Sequence, residues 1–153
     1  MAEHIATISW KNTGEDFLRG KYSREHTWTF DGGAVVKGSS SPHSVPLPYS
    51  DATAVDPEEA LVAALASCHM LFFLGGAARD GWVIDSYTDT PVATMGRNAA
   101  GREYIARIVL HPRIVFGGAR QPTPAQVEAL HHWSHEECYI ANSIRAEVVI
   151  EPA

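Results

Sequence analysis

The sequence predicts an α+β fold in a single domain that spans residues 1–153. Short segments that alternate apolar and polar residues come first, followed by an apolar helix, two longer alternating segments, a second helix and a final strand. Helices inserted between runs of antiparallel strands are typical of α+β proteins rather than of a doubly wound parallel sheet. A chain of 153 residues also suits one domain with a hydrophobic core of its own.

The strands are predicted from alternation and from the turn residues between the alternating segments. The predicted strands are residues 4–10, 26–30, 34–36, 82–95, 102–116 and 144–150. Asp31-Gly32-Gly33 predicts a hairpin turn between the second and the third strand. The segment 38–50 is rich in serine and proline, and we expect it to be a loop because proline cannot donate to a ladder.

Two helices begin with the same capping pattern. A side chain with an oxygen precedes a proline, and an acid or amide at the third helical position reaches back to the cap. These residues are Asp56, Pro57 and Glu59 in the first helix, and Thr123, Pro124 and Gln126 in the second. The first helix is predicted to end at Gly81 and the second at about Cys138.

Composition and charge exclude several classes of partner. The net charge of −6 argues against nucleic acid, which requires clustered lysine and arginine. The uncharged segment 61–78 approaches the length of a membrane span. It contains Ser67 and His69, however, and a helix buried in a soluble core is also apolar on all sides. We therefore expect a core helix and no membrane contact. The first residues show no secretory leader, so we expect a cytoplasmic protein.

Each predicted helix carries one cysteine on its apolar face. Cys68 shares a face with Leu65 and Phe72, and Cys138 shares one with Leu130. Helices packed through these faces would bring the sulfur atoms together, although spacing alone does not establish the separation that a disulfide needs. Two readings therefore stay open: a redox pair, or two buried thiols that act only as small hydrophobic side chains.

The stretch from Asp56 through Pro57-Glu58-Glu59 and an alanine-rich segment to Cys68 resembles the signature of the OsmC/Ohr superfamily, the osmotically inducible and organic hydroperoxide resistance proteins. The second cysteine near the end of the other helix agrees with this resemblance. The resemblance implies antiparallel strands wrapped around two central cysteine-bearing helices in an intertwined homodimer. It also implies reduction of organic hydroperoxides without metal or other cofactor, and a dithiol reductant that is a small molecule or a lipoylated protein.

Residue roles follow from the same resemblance. Cys68 corresponds to the peroxidatic cysteine, Cys138 to the resolving cysteine, Arg19 to the family arginine and Glu58 to its glutamate. The chemistry agrees, because a buried cysteine needs a cation to become the attacking thiolate, and arginine stays charged. Without the resemblance, Glu58 would be read as a helix-dipole residue. Arg24 is an alternative to Arg19.

Two further departures from the family pattern concern the residues that follow the cysteines. His69 follows Cys68 where phenylalanine is common, and Tyr139 follows Cys138 where proline is common. These departures place the chain in a divergent branch of the superfamily.

A composite active site is also predicted. On one straight helix Glu58 and Cys68 would be separated by ten residues, or about 15 Å along the axis. One arginine can hardly bridge that distance within a single chain. We therefore expect that two subunits share the site, provided that Glu58, Cys68 and an arginine act together.

Two other functions compete with a peroxidase. His131, His135 and Cys138 follow helical spacing and would form a zinc site, since imidazole and thiolate are good zinc ligands. A non-catalytic binder of lipid-like molecules would use the apolar surroundings of Cys68. The apolar side chains expected there favour bulky organic hydroperoxides over hydrogen peroxide. They are Leu61, Leu65, Phe72 and Phe73.

Overall fold

A computed structural model of the protein describes residues 1–14 and 16–153, which form two compact units, Met1–Ala60 and Leu61–Ala153. The helices are Pro57–Arg79 (α1) and Pro124–Glu137 (α2), with short 3-10 turns at Phe17–Arg19 and Ala141–Ser143. The strands are Ala6–Ser9 (β1), His26–Phe30 (β2), Val35–Gly38 (β3), Val83–Thr88 (β4), Val92–Arg97 (β5), Glu103–Leu110 (β6), Arg113–Gly117 (β7) and Glu147–Ile150 (β8). The predicted α+β class is confirmed, and the single domain stays a prediction.

The first unit contains an antiparallel sheet in the order β1-β2-β3. Trp28 occupies its centre, opposite Ile8 on one side and Val36 on the other. The serine-rich loop returns to the edge of this sheet, where Gly38 forms a parallel bridge with Val55. Strand β3 thus extends two residues beyond its predicted end.

The prediction of two long strands in the second unit is wrong, because each of them is divided into two shorter strands. The breaks fall at Pro91 and Pro112, residues that lack the N–H group needed for a continuous ladder. Asp89 Oδ1 accepts a hydrogen bond of 2.7 Å from the backbone N–H of His111, which joins the two breaks.

The four strand segments and β8 form two sheets, β4-β7 and β5-β6-β8. The expectation of antiparallel pairing fails for β8, which lies parallel to β6. A parallel neighbour requires a long crossover connection, and the segment that contains α2 supplies it.

Both capping patterns form as predicted. Glu59 N donates to Asp56 Oδ1 over 2.8 Å, and Asp56 N donates to Glu59 Oε2 over 3.1 Å. At α2, Thr123 and Gln126 make the same reciprocal pair of hydrogen bonds. The predicted end of α1 is also correct, because Gly81 has a φ of 80°, in the left-handed region that glycine adopts without strain.

Helix α1 is long and apolar enough to cross a membrane by length and composition alone. An 18-residue window of this helix has a mean hydropathy of 1.9, and 39% of the window is buried. The core helix of a soluble protein meets the same criteria. Composition therefore does not distinguish the two settings.

Two apolar clusters form the core of the second unit. Leu65, Ile108, Leu110 and Cys138 form the first, and Phe73, Ala77 and Leu130 form the second. Helices α1 and α2 approach closely at Gly76, where an added Cβ would lie 2.5 Å from Leu130 Cδ1. The contacts Cys68–Cys138 and Gly76–Leu130 show that the two helices run antiparallel.

Candidate active site

The two cysteines meet in the second unit as free thiols. Cys68 is half-buried in the middle of α1, whereas Cys138 is fully buried. Cys138 is the C-terminal cap of α2 and has extended backbone angles, φ −64° and ψ 113°. The two side chains lie side by side in the same apolar cluster, close enough to interact electrostatically. The structure thus brings together the two thiols that the sequence places on separate helix faces.

Burial makes the two thiols unequal. It raises the pKa of Cys138 to about 11, and the neighbouring Cys68 side chain acts in the same direction. The backbone N–H of Ala141, 3.4 Å from the Cys138 sulfur, opposes this increase. Cys138 therefore remains a thiol at neutral pH and can donate its S–H group to the sulfur of Cys68.

A cleft of about 430 Å³ opens beside Cys68. It is lined by Ala64, Ser67, Cys68, Leu71, Phe72, Tyr139 and Ile140. Only Phe72 of the four predicted apolar side chains lines this cleft. Leu65 and Phe73 are fully buried in the core, and Leu71, on the neighbouring face of α1, takes part instead.

The first unit contains a second cavity of about 500 Å³. One wall is an aromatic cluster of Trp10, Phe17 and Tyr22, whose ring centroids lie 4.6 to 5.9 Å apart. Arg24, Glu58 and several serine residues also line the cavity. It therefore combines apolar rings with one cation, one carboxylate and hydroxyl groups.

The two candidate arginines differ in their surroundings. Arg19 is solvent-exposed, and its Nε lies 3.3 Å from Asp16. Arg24 lines the cavity with Glu58, and its guanidinium carbon lies 3.5 Å from the centroid of the Tyr22 ring. Its Nη1 also donates to the carbonyl oxygens of Gly20 and Tyr22. Of the two arginines, Arg24 is therefore the one that lines the cavity and is held there by backbone carbonyls and the Tyr22 ring, whereas Arg19 is paired with Asp16 at the surface.

His26 fixes the backbone next to Arg24. Its Nδ1 lies 2.7 Å from the carbonyl oxygen of Arg24, and its Nε2 lies 2.7 Å from the indole Nε1 of Trp28. A carbonyl only accepts and an indole N–H only donates. In this arrangement Nδ1 donates to the carbonyl oxygen and Nε2 accepts from the indole N–H.

The chain matches a known protein family over most of its length. The family described as OsmC-like protein matches residues 50–153, more than half of the chain. An OsmC-like protein of unknown function from Vibrio cholerae is 49% identical, with complete coverage of both chains and a TM-score of 0.97. The chain belongs to the OsmC-like family.

More distant OsmC-like structures share the fold. The organic hydroperoxide resistance protein OsmC from Legionella pneumophila is 17% identical, with a TM-score of 0.69 and coverage of 99% of this chain and 96% of that one. OhrB of Bacillus subtilis, also an organic hydroperoxide resistance protein, is 16% identical, with a TM-score of 0.71 and coverage of 99% and 98%. No curated protein matches the sequence.

The histidines of this OsmC-like protein do not form the zinc site that was considered as an alternative function. His131 lies beside His69, with 3.0 Å between His69 Nε2 and His131 Nδ1. Cys138 instead pairs with Cys68. Within residues 1–14 and 16–153, no three histidine, cysteine or acidic side chains are arranged to hold a metal ion.

Sequence reasoning missed two features of this site. It treated His69 only as a departure from the family pattern, although the position lies four residues after Leu65 and four before Phe73 and so shares their buried face. It also missed the aromatic cluster of the first unit. The segment from Trp10 to Arg24 has no regular period that would have indicated it.

Proposed function

We propose that the protein is a thiol peroxidase that reduces organic hydroperoxides to alcohols. The observation that carries the proposal is the proximity of two free thiols, Cys68, which lines an apolar cleft, and Cys138, which is buried beside it. Membership of the OsmC-like family supports it, since solved relatives bear the name organic hydroperoxide resistance protein.

In the proposed first step, the thiolate of Cys68 attacks the outer oxygen of the hydroperoxide. The O–O bond breaks, a sulfenic acid forms on Cys68, and the alkoxide takes up a proton to leave as the alcohol. The Cys138 thiol favours this step because an S–H donor stabilises the neighbouring thiolate. The apolar lining of the cleft favours hydroperoxides that carry an organic group.

In the second step, the sulfur of Cys138 attacks the sulfenic sulfur. The S–O bond breaks, an S–S bond forms, and the proton of Cys138 leaves with the hydroxyl group as water. This reaction protects Cys68 from irreversible over-oxidation. A dithiol, either a small molecule or a lipoylated protein, then reduces the disulfide by exchange.

We assign the cation of the reaction to Arg24, with Glu58 as the carboxylate that positions it. The assignment rests on the cavity of the first unit, which both residues line and from which Arg19 is absent. Guanidinium suits this role because it remains charged and its planar group can contact two acceptors at once. The resemblance to the family assigns the role to Arg19, so the two arginines must be compared directly.

A homodimer in a reducing, cytoplasmic environment is part of the proposal. Large apolar side chains of the second unit outside the cleft are exposed in the single chain, including Val83 at 54% and Met95 at 52%. A second copy of the chain would remove such side chains from water. Two free thiols also suit a compartment in which cysteines stay reduced.

The direct test is steady-state consumption of cumene hydroperoxide with dihydrolipoamide as reductant. We expect Cys68→Ser to abolish turnover while the fold persists, because serine is nearly isosteric but supplies no thiolate. Cys138→Ser is the matched control and should reduce about one equivalent of peroxide before it over-oxidises. Turnover by Cys68→Ser above a few per cent of the wild-type rate would refute the proposal.

One observation favours a second candidate function, a non-catalytic binder of lipid-like molecules. The aromatic cavity of the first unit, about 500 Å³ in volume, falls in the size range of small-molecule sites. A binder would retain a fatty-acid ligand without consuming peroxide in the presence of a dithiol. Catalytic turnover by the wild-type protein would exclude this function as the sole role of the protein.

A further inference from the structure

The interface between α1 and α2 contains a pair of buried histidines. His69 is 1% exposed and His131 is 4% exposed. Their rings are nearly parallel, at 8°, and a hydrogen bond of 3.0 Å joins His69 Nε2 to His131 Nδ1. Phe73 packs against His131 with 4.4 Å between ring centroids.

This pair makes the fold less stable than an apolar pair of the same size would. The outer nitrogens, His69 Nδ1 and His131 Nε2, have no hydrogen-bond partner among residues 1–14 and 16–153, and a buried polar atom without a partner is destabilising. Two leucines of similar volume would fill the space without that cost. Buried polar groups of this kind call for an explanation beyond stability.

The pair supplies a directional contact that an apolar pair lacks. One neutral imidazole must donate and the other must accept, so the distance and rotation between the two rings are fixed. His69 is adjacent to Cys68 on α1, and His131 lies seven residues before Cys138 on α2. The contact therefore links the helix of one thiol to the helix of the other.

The two thiols lie in different backbone conformations. Cys68 lies inside α1, whereas Cys138 caps α2 in an extended conformation. Formation of a disulfide requires the two residues to reach a narrow geometry. If the histidines keep α1 and α2 in place, the change in backbone position that brings the two sulfur atoms together occurs at the end of α2, close to Cys138.

We infer that His69 and His131 are positioning residues that hold α2 against α1 so that Cys138 reaches the oxidised sulfur of Cys68. The inference rests on the proposed function. It assigns the pair to the resolution step, in which the S–S bond replaces the S–O bond. The peroxidatic step does not depend on the pair.

The test measures how oxidised Cys68 divides between disulfide and sulfinic acid. Reduced protein is treated with excess cumene hydroperoxide, and peptide mass spectrometry gives the ratio of the two products. We expect His69→Leu/His131→Leu to fold at least as stably as wild type yet resolve about tenfold to a hundredfold more slowly. Sulfinic acid then accumulates while the first peroxide equivalent is still consumed at the wild-type rate.

Conservative variants separate positioning from packing. His69→Gln and His131→Asn keep an amide near the position of the bonded nitrogen, and we expect each to retain most of the disulfide product. Phe116→Leu, which perturbs the same core from β7, controls for lost stability. If the double-leucine variant does not fold, His131→Leu is compared with His131→Asn.

The possible outcomes are distinct. The inference would be overturned if the leucine variants gave the wild-type ratio of disulfide to sulfinic acid. It would also be overturned if this ratio were as low in His131→Asn as in His131→Leu. The proposed function would stand in either case, provided that wild type turns over and Cys68→Ser does not. Peroxide turnover by Cys68→Ser would instead refute the proposed function itself.

Discussion

The cavity of the first unit and the thiol pair of the second unit differ in the charge and the hydrogen-bond partners of their polar groups. In the cavity, backbone carbonyls hold Arg24, and His26 has a partner on each ring nitrogen. In the second unit, burial keeps Cys138 protonated, and the outer nitrogens of His69 and His131 have no hydrogen-bond partner in the described part of the chain. One region holds a cation in a fixed place, and the other keeps neutral groups in apolar surroundings. The cation that we propose for the reaction, Arg24, belongs to the first region.

The largest expected effect tests this division of roles. Arg24→Met should lower kcat/KM for cumene hydroperoxide by about 10²- to 10³-fold, the usual effect of removing one group that stabilises developing charge. Arg19→Met removes the same charge from an exposed position beside Asp16, and we expect less than about a twofold change. Steady-state kinetics on both variants make the comparison. A greater loss in Arg19→Met would return the role to Arg19.

The second prediction concerns the neutral groups of the second unit. Burial lowers the pKa of His69 to about 4, and the nearby His131 and His135 act in the same direction. The unfolded chain takes up this proton near pH 6.5, so stability is complete above that pH and falls as the pH drops to about 4. His69 alone then removes up to about 3 kcal/mol of the free energy of unfolding.

Urea unfolding at several pH values measures this loss. His69→Leu is the control, and its free energy of unfolding should fall less between pH 6.5 and pH 4 than that of wild type. Equal slopes for the two proteins would show that His69 is not held neutral by burial.

The smallest effect tests the close contact of the two helices. Gly76→Ala should destabilise the protein by about 1–3 kcal/mol because the added methyl group meets Leu130 and Trp133. Gly75→Ala, one position away, should stabilise the helix by about 0.5–1 kcal/mol, because no other side chain of the described residues lies within 4 Å of the added methyl group. Chemical denaturation compares them, and equal shifts would contradict the packing of α1 against α2.

Local sequence signals predicted the helices well. The cap at Asp56 and the cap at Thr123 each depend on residues within one turn, so short-range chemistry determines them. The cysteine faces followed from helical period. Pro91 and Pro112 indicate the strand breaks, but the alternation of apolar and polar residues around them favoured continuous strands.

The remaining features depend on contacts between distant segments. The parallel register of β8 requires knowledge of which strand it joins. The His69–His131 contact joins residues 62 positions apart, and the helical spacing of His131 with His135 favoured a zinc site instead. The choice between Arg19 and Arg24 depends on which one faces the cavity, and spacing does not reveal that.

The measurement that tests the central claim most directly is titration of the reduced protein with cumene hydroperoxide in the absence of reductant. The redox-pair account predicts that one equivalent of peroxide removes both free thiols of the chain. Non-reducing peptide mass spectrometry should then find Cys68 and Cys138 joined within one chain. Two thiols that survive the titration, or disulfides that form only between chains, would contradict the account.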